Sequence, residues 1–283
     1  MIPLRYSHGS VIGGDHVKVK KNCQDAYLVK EKKDLMVSFV ADGCSNSNFP
    51  FETYTEVGSR VGVGIVTNYV VSRLESISKW RWNFYLQNEN FWADIQKHTL
   101  GEIDSIARGI GGSYHNNIVS YFLFTLVGMI VTPDITLFVG VGDGYYYLNG
   151  VKFEMIPDAR DNFPTALGYN LIETSLKVMA PDDLKIRVKK VASTNTVNSA
   201  MVATDGLKGF FNDSKKCVPG TTEIADPEDF WKNVSYFDNR SNLVGRLNLL
   251  ASEKRVINWK DERVKIYPPV LTDDLAIVTA SRI

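Results

Sequence analysis

Most of the strand-like segments in this chain end on, or start from, an aspartate, and that recurrence limits the ways it can fold. Leu35 to Val40 is apolar at nearly every position, which suits a strand covered on both faces, and it runs into Ala41-Asp42-Gly43. Ile135 to Val141 reaches Gly142-Asp143-Gly144 and resumes as Tyr145 to Leu148, after which Asn149-Gly150 predicts a type I′ hairpin turn into Val151 to Ile156. Ala200 to Ala203 leads into Thr204-Asp205-Gly206, Thr272-Asp273-Asp274 opens Leu275 to Val278, and Asp25 stands just before Ala26 to Val29. Any one Asp-Gly pair is explained by turn chemistry alone. As a group the aspartates differ from turn residues, because each abuts a β-prone apolar run that would hold its carboxylate at the rim of a rigid core.

Helical patterns lie between the strands. Tyr54, Val57, Val61, Ile65 and Tyr69 recur at three- and four-residue spacing, which predicts a helix over about 51–77 despite Gly58, Gly62 and Gly64. A second helix is expected over about 91–107, with Ile95, Ile103 and Ile106 on one face, and a third over about 243–250. The apolar stretch Tyr121 to Val131 reads as a buried strand, too short to span a bilayer. Gly109 to Asn117 and Pro157 to Gly168 read as surface loops, the second a flap. No composition shift marks a linker, so residues 1–283 are expected to form a single domain.

The chain has 32 basic and 32 acidic residues, so its overall charge gives no reason to expect nucleic acid or an anionic membrane as partner. Three cysteines, Cys23, Cys44 and Cys217, have neither disulfide-framework nor zinc-knuckle spacing. With no signal-peptide core before His16, the expected location is the cytoplasm.

If the strand ends converge, their carboxylates repel, since like charges at ~4 Å cost about 4 kcal/mol at an effective dielectric near 20. A cation between them removes that penalty. Clusters of carboxylate, carbonyl and water oxygens suit Mg2+ or Mn2+, and no paired His or Cys spacing is present to attract zinc. A glycine after the aspartate lets a backbone carbonyl approach the ion, and Gly43 is the best placed.

Taken in order, these motifs resemble the metal-dependent type 2C (PPM) serine/threonine protein phosphatases. Asn22-Cys23-Gln24-Asp25-Ala26 is similar to the family's first acidic motif, and Val40-Ala41-Asp42-Gly43 to its metal-binding Asp-Gly. Val141-Gly142-Asp143, Ala203-Thr204-Asp205-Gly206-Leu207 and Asp273-Asp274-Leu275-Ala276-Ile277-Val278 are similar to the three later ones. The resemblance implies an α+β fold, a four-layer α/β/β/α sandwich of two antiparallel sheets flanked by helices, with the site in a cleft at one end. It implies that Asp42 bridges two Mn2+ or Mg2+ ions, that the Gly43 carbonyl binds one, and that Asp205 and Asp273 hold the other. Asp143 with Asp205 would form a third, weaker metal site, and Asp25 would orient metal-bound water, making Asp25, Asp42, Asp205 and Asp273 the catalytic set. The implied reaction is hydrolysis of phosphoserine or phosphothreonine by water activated between two metals, with no phosphoenzyme and hence no nucleophilic role for Cys23 or Cys44. The implied partners are a phosphorylated protein substrate and an opposing Ser/Thr kinase, and a monomer is expected.

The chain departs from the family at several points. Cys44-Ser45-Asn46 follows Asp42-Gly43 where many members carry a glycine pair or a histidine, so the general acid is unassigned. Gly144-Tyr145 replaces the usual Ser-Arg, and Lys20, with Lys21 beside it, stands where an arginine grips phosphate. These departures keep open a pseudophosphatase, an inactive member that binds a phosphoprotein or another partner, while a related metal hydrolase acting on small phosphates is the other alternative. His16 reads equally as a surface histidine or a phosphate contact, and Cys44 as a packing residue. Lys30 to Asp34 reads as a hairpin tip, and the aromatic run Trp80 to Tyr85 as either a partner surface or a helix end over the core.

Overall fold

A computed structural model describes residues 3–44, 53–156, 165–172, 182–211, 216–260 and 262–283. Its strands are β1 (Arg5–Val11), β2 (Ala26–Lys32), β3 (Leu35–Ala41), β4 (Leu126–Val131), β5 (Ile135–Val141), β6 (Gly144–Leu148), β7 (Val151–Met155), β8 (Arg187–Ser193), β9 (Ser199–Ala203), β10 (Lys254–Asn258), β11 (Arg263–Tyr267) and β12 (Leu275–Ser281). Its α-helices are α1 (Gly14–Lys18), α2 (Thr55–Glu75), α3 (Trp82–Leu86), α4 (Glu89–Ile110), α5 (Tyr114–Tyr121), α6 (Asp229–Lys232), α7 (Ser235–Asp238) and α8 (Arg240–Ala251).

Two five-stranded antiparallel sheets, ordered β1-β12-β9-β6-β7 and β2-β3-β4-β5-β8, stack face to face, and β10-β11 forms a separate hairpin. Strand β3 shows why its sequence is apolar throughout. Leu35, Val37, Phe39 and Ala41 face the helical layer with Val66, Leu74 and Ile95, while Met36 and Val40 face the other sheet with Tyr146, Val202 and Val278. The outer face of the first sheet carries Leu275 and Ile277 against Leu243, Leu247 and Leu250 of α8. The result is four layers, helix, sheet, sheet, helix, as the sequence implied. Asn149 and Gly150 both take positive φ (53° and 80°), the geometry of the expected type I′ turn between β6 and β7. Lys33 and Asp34 turn β2 into β3, with Lys79 and Lys32 clipped to Asp34 and Glu75 at 2.5 and 3.0 Å.

Several local expectations are corrected. The stripe read as the core face of α2 is the wetter one: Tyr54 and Val57 are exposed, and Val61, Ile65 and Tyr69 are half-buried. The face that packs carries Gly58, Ser59, Gly62, Val63, Val66, Thr67 and Val70. Those glycines let the helix lie on the chain beneath it, since a Cβ on Gly58 would stand 2.1 Å from the Tyr121 carbonyl oxygen and one on Gly62 2.3 Å from the Phe124 ring. Ile106 of α4 is likewise exposed, while Ile95 and Ile103 are buried. Tyr121 to Val131 is not one strand. Tyr121 closes α5, Phe122 to Thr125 cross irregularly, and β4 begins at Leu126. Gly109 to Asn117 is mostly helical, because α4 continues to Ile110, Gly111 and Gly112 break it with positive φ, and the Ser113 side chain accepts from the Asn116 N–H to cap α5. Of the expected flap, residues 157–164 lie outside the described residues. Leu167–Leu171 is a 3₁₀ helix whose Leu167, Gly168 and Tyr169 are buried rather than on the surface. In the run Trp80 to Tyr85, Trp82 is buried and donates its indole N–H to the Leu74 carbonyl, whereas Trp80 is exposed.

Candidate active site

Strand registers deliver the aspartates to one place. Ala26 pairs with Ala41, so Asp25 just before β2 and Asp42 just after β3 become neighbours. Ala203 at the end of β9 pairs with Ile277 of β12 on one side and with Tyr145 of β6 on the other. That sets Asp205 beside Asp273 and Asp274, which lead into β12, and beside Asp143, which leads into β6. The Asp42 carbonyl accepts from the Thr125 N–H at 2.9 Å, which fixes the β3 end on the β4 end.

The carboxylates feel one another strongly. Burial raises the Asp25 carboxyl well above the usual range, Asp274 and Asp205 raise it further, and a Thr204 hydroxyl bond opposes the shift. Asp42 is also raised, first by burial and then by Asp25 and Asp205. Asp205 is pushed up to about 7 by burial, Asp143 and Asp273, with Lys208 opposing. Burial raises Asp143, whose Oδ1 is buried with no hydrogen-bond partner. An orphaned buried carboxylate oxygen facing other carboxylates is the donor set of a hard-cation site.

Around this group the backbone is tied tightly. Thr204 Oγ1 donates to Asp25 Oδ2 and accepts from the Ala276 N–H at 2.9 Å, so one hydroxyl joins the two sheets. The Gly43 carbonyl accepts from the Thr55 hydroxyl at 2.8 Å and retains a second lone pair. Lys20 is exposed, with a left-handed φ of 57°, in the turn after α1, and Lys21 beside it is also exposed. No hydrogen bond or ion pair links Lys20 to the carboxylates among the described residues.

Sequence reasoning gave too little to Asp274 and His16. Asp274 is buried and accepts from the Gly13 N–H at 2.7 Å and the Gln24 N–H at 2.5 Å, with His16 Nδ1 lying 2.8 Å from its Oδ2 without hydrogen-bond alignment. Ligand atoms of His16, Asp273 and Asp274 all lie within 4.8 Å of one another, tighter than any trio drawn from the wider aspartate set among the described residues. The only sequence signal was that Asp274 is the second acid of a pair. Cys23 and Cys44 are free, and burial, reinforced by neighbouring carboxylates, raises both thiols, so neither is held as a thiolate.

A two-sheet sandwich with aspartates gathered at one end of its strands offers the oxygen donors that suit a hard divalent cation. Residues 12–237 match the family profile described as protein phosphatase 2C, and the chain belongs to that family. No curated protein matches the sequence. Among solved structures, a substituted form of a bacterial serine phosphatase superposes with a TM-score of 0.52 at 13% identity, covering 100% of this chain and 99% of that one. The serine/threonine phosphatase of Staphylococcus aureus gives 0.49 at 14% identity, covering 99% and 95%. The catalytic domain of the serine threonine protein phosphatase PstP, in complex with 2 manganese ions, gives 0.42 at 14%, covering 98% and 97%. At such identities the first of these supports a shared fold and nothing finer. No helix among the described residues is long and apolar enough to cross a membrane.

Proposed function

We propose that the protein is a divalent-metal-dependent phosphatase that hydrolyses phosphoserine or phosphothreonine in other proteins. The observation that carries this reading is the convergence of buried Asp25, half-buried Asp42, Asp143 and Asp205 and exposed Asp273 at one end of the sandwich, with Asp143 Oδ1 left unpaired, in a chain of the protein phosphatase 2C family. In this reading Asp42, the free lone pair of the Gly43 carbonyl, Asp205 and Asp273 hold two Mn2+ or Mg2+ ions, and Asp143 with Asp205 supports a third. When bound, such ions lower the pKa of water and neutralise charge on the phosphoryl oxygens. Asp25, fixed by Thr204, orients the attacking water as acceptor of its hydrogen bond. Lys20 offers positive charge to the incoming phosphate from the rim. The cysteines stay protonated and out of the reaction.

The direct test is phosphate release from a phosphothreonine peptide by chelator-stripped protein, with Mn2+ or Mg2+ added back. Release that depends on the added ion is expected. Binding of the ion without release would favour the inactive, partner-binding reading instead.

The charge cluster also sets the pH response of the metal-free protein. Asp205 titrates near 7 in the fold against 3.8 for an ordinary aspartate, so the fold binds this proton more tightly than the unfolded chain does. That contribution is complete below about 4 and is lost as the pH rises through about 7. The Tm of chelator-treated protein is therefore expected to fall by several degrees between pH 5 and pH 8, and Mn2+ to restore most at pH 8. A metal-free Tm that rises over this interval would contradict the assignment.

A further inference from the structure

The hairpin β10–β11 stands apart from both large sheets. Its register places Ile257 opposite Val264 and Arg255 opposite Ile266 on one face, with Val256 opposite Lys265 and Asn258 opposite Arg263 on the other. The apolar face is wet: Ile257, Val264 and Ile266 are 47%, 56% and 53% exposed, and Trp259 at the turn is 81% exposed. A two-stranded hairpin is marginal by itself, and an apolar face of this kind, with both edges unpaired among the described residues, is where another chain docks.

Charge identifies what docks. Over residues 254–267 the sequence has five cations, Lys254, Arg255, Lys260, Arg263 and Lys265, against Asp261 and Glu262, in a chain that is neutral overall. Of these cations only Arg255 has a carboxylate partner among the described residues, namely Glu253. The hairpin also grows from the rim of the carboxylate site. It leaves α8 just after Ala251 and returns at Pro269, and both of these residues lie against Gly14. The Leu271 and Thr272 carbonyls then accept from the Gly14 and Asp15 N–H groups immediately before Asp273. Five-residue strands reach about 17 Å, the span of roughly five residues of extended peptide.

We propose that this hairpin is the docking platform for the phosphoprotein substrate, taking an extended segment in which acidic and apolar residues alternate, several residues away from the phosphorylated side chain. Paired along the edge of β11, the segment sets its acidic residues beside Arg263 and Lys265 on one face of the hairpin and its apolar residues beside Val264 and Ile266 on the other. The proposal rests on the phosphatase reading and specifies its substrate class.

The test compares wild type with the double variant Arg263→Glu, Lys265→Glu, both checked for equal Tm. Binding of a fluorescent, unphosphorylated acidic-apolar peptide is read by anisotropy. Hydrolysis is read on the phosphothreonine form, on a peptide with neutral flanks and on p-nitrophenyl phosphate. The expected result is a Kd and a KM for the acidic peptide at least tenfold higher in the variant, with kcat and the other two substrates unchanged. Equal binding of acidic and neutral peptides by the wild type, an unchanged variant, or an equal loss on p-nitrophenyl phosphate would overturn the platform. So would a variant that keeps the peptide but loses binding to phosphatidylserine vesicles, or a wild type that dimerises through the hairpin in sedimentation. Peptide binding with no hydrolysis of any substrate would overturn the phosphatase reading alone, and hydrolysis without acidic preference the platform alone.

Discussion

Asp205→Asn is expected to abolish metal-dependent phosphate release while leaving the fold intact. Asp205 is the point where the two halves of the aspartate group meet, raised by Asp143 on one side and Asp273 on the other. Asparagine keeps the shape and one oxygen but removes the charge that would compensate a divalent ion. Altering even a residue that only supports a metal ligand costs about 10–100-fold, so losing a charged ligand should cost at least about 100-fold in Mn2+ affinity and more in kcat/KM. The effect on stability has the opposite sign. In the metal-free protein this carboxylate is a source of repulsion, so the variant should melt no lower than wild type at pH 8, and its Tm should respond less to pH. Calorimetric titration, turnover and thermal melts measure the three parts separately. Undiminished turnover would refute the assigned site.

Asp274→Ala should behave in the reverse way, as a failure of the fold. Its two oxygens accept from the N–H groups of Gly13 and Gln24, in a site where water does not reach the carboxylate. Removing both acceptors leaves two buried donors unpaired at about 1–3 kcal/mol each, an expected loss of about 3–5 kcal/mol. For a chain of this size that corresponds to a fall in Tm of about 5–8 °C. Asp274→Asn retains one acceptor oxygen and should lose about half as much. The loss should be present with and without Mn2+. A deficit seen only in the metal-loaded protein would instead make Asp274 a ligand, as its place beside His16 and Asp273 would allow.

The two substitutions concern aspartates at the same end of the sandwich, and the sequence distinguished them only partly. The strand ends were legible because β3, β5, β9 and β12 are apolar on both faces, so their limits coincide with the first charged residue. Five aspartates in that position raised the question of their convergence, and the family resemblance supplied the expectation of a shared site. The Lys30 to Asp34 tip made the β2–β3 hairpin, and with it the pairing of Ala26 with Ala41, legible, but the pairing of Ala203 with Tyr145 and Ile277, strands far apart in the chain, had no local signal. The structural role of Asp274 depends on backbone N–H groups from residues 13 and 24, partners with no side-chain signature. The misread face of α2 has a similar cause. Periodicity locates bulky apolar residues, but this helix packs through Gly58 and Gly62, where the absence of side chain makes the contact. The exposed hairpin β10–β11 gave no strong strand signal, because its apolar residues are not those of a buried core.

The bond from Thr204 to Asp25 reaches from one sheet to the other, and this has a consequence for remote substitutions. Asp42 belongs to one sheet, Asp205 and Asp273 to the other, so the gap between them is a readout of how the sheets are staggered. That stagger is set by interleaved side chains such as Phe138 and Tyr146, whose rings stack at 4.8 Å in the layer between the sheets. A truncation there is expected to shift one layer against the other, which packing absorbs and the proposed metal site, with ligands on both sheets, does not. Cation preference should thus be tunable from the middle of the sandwich, without touching a single oxygen donor.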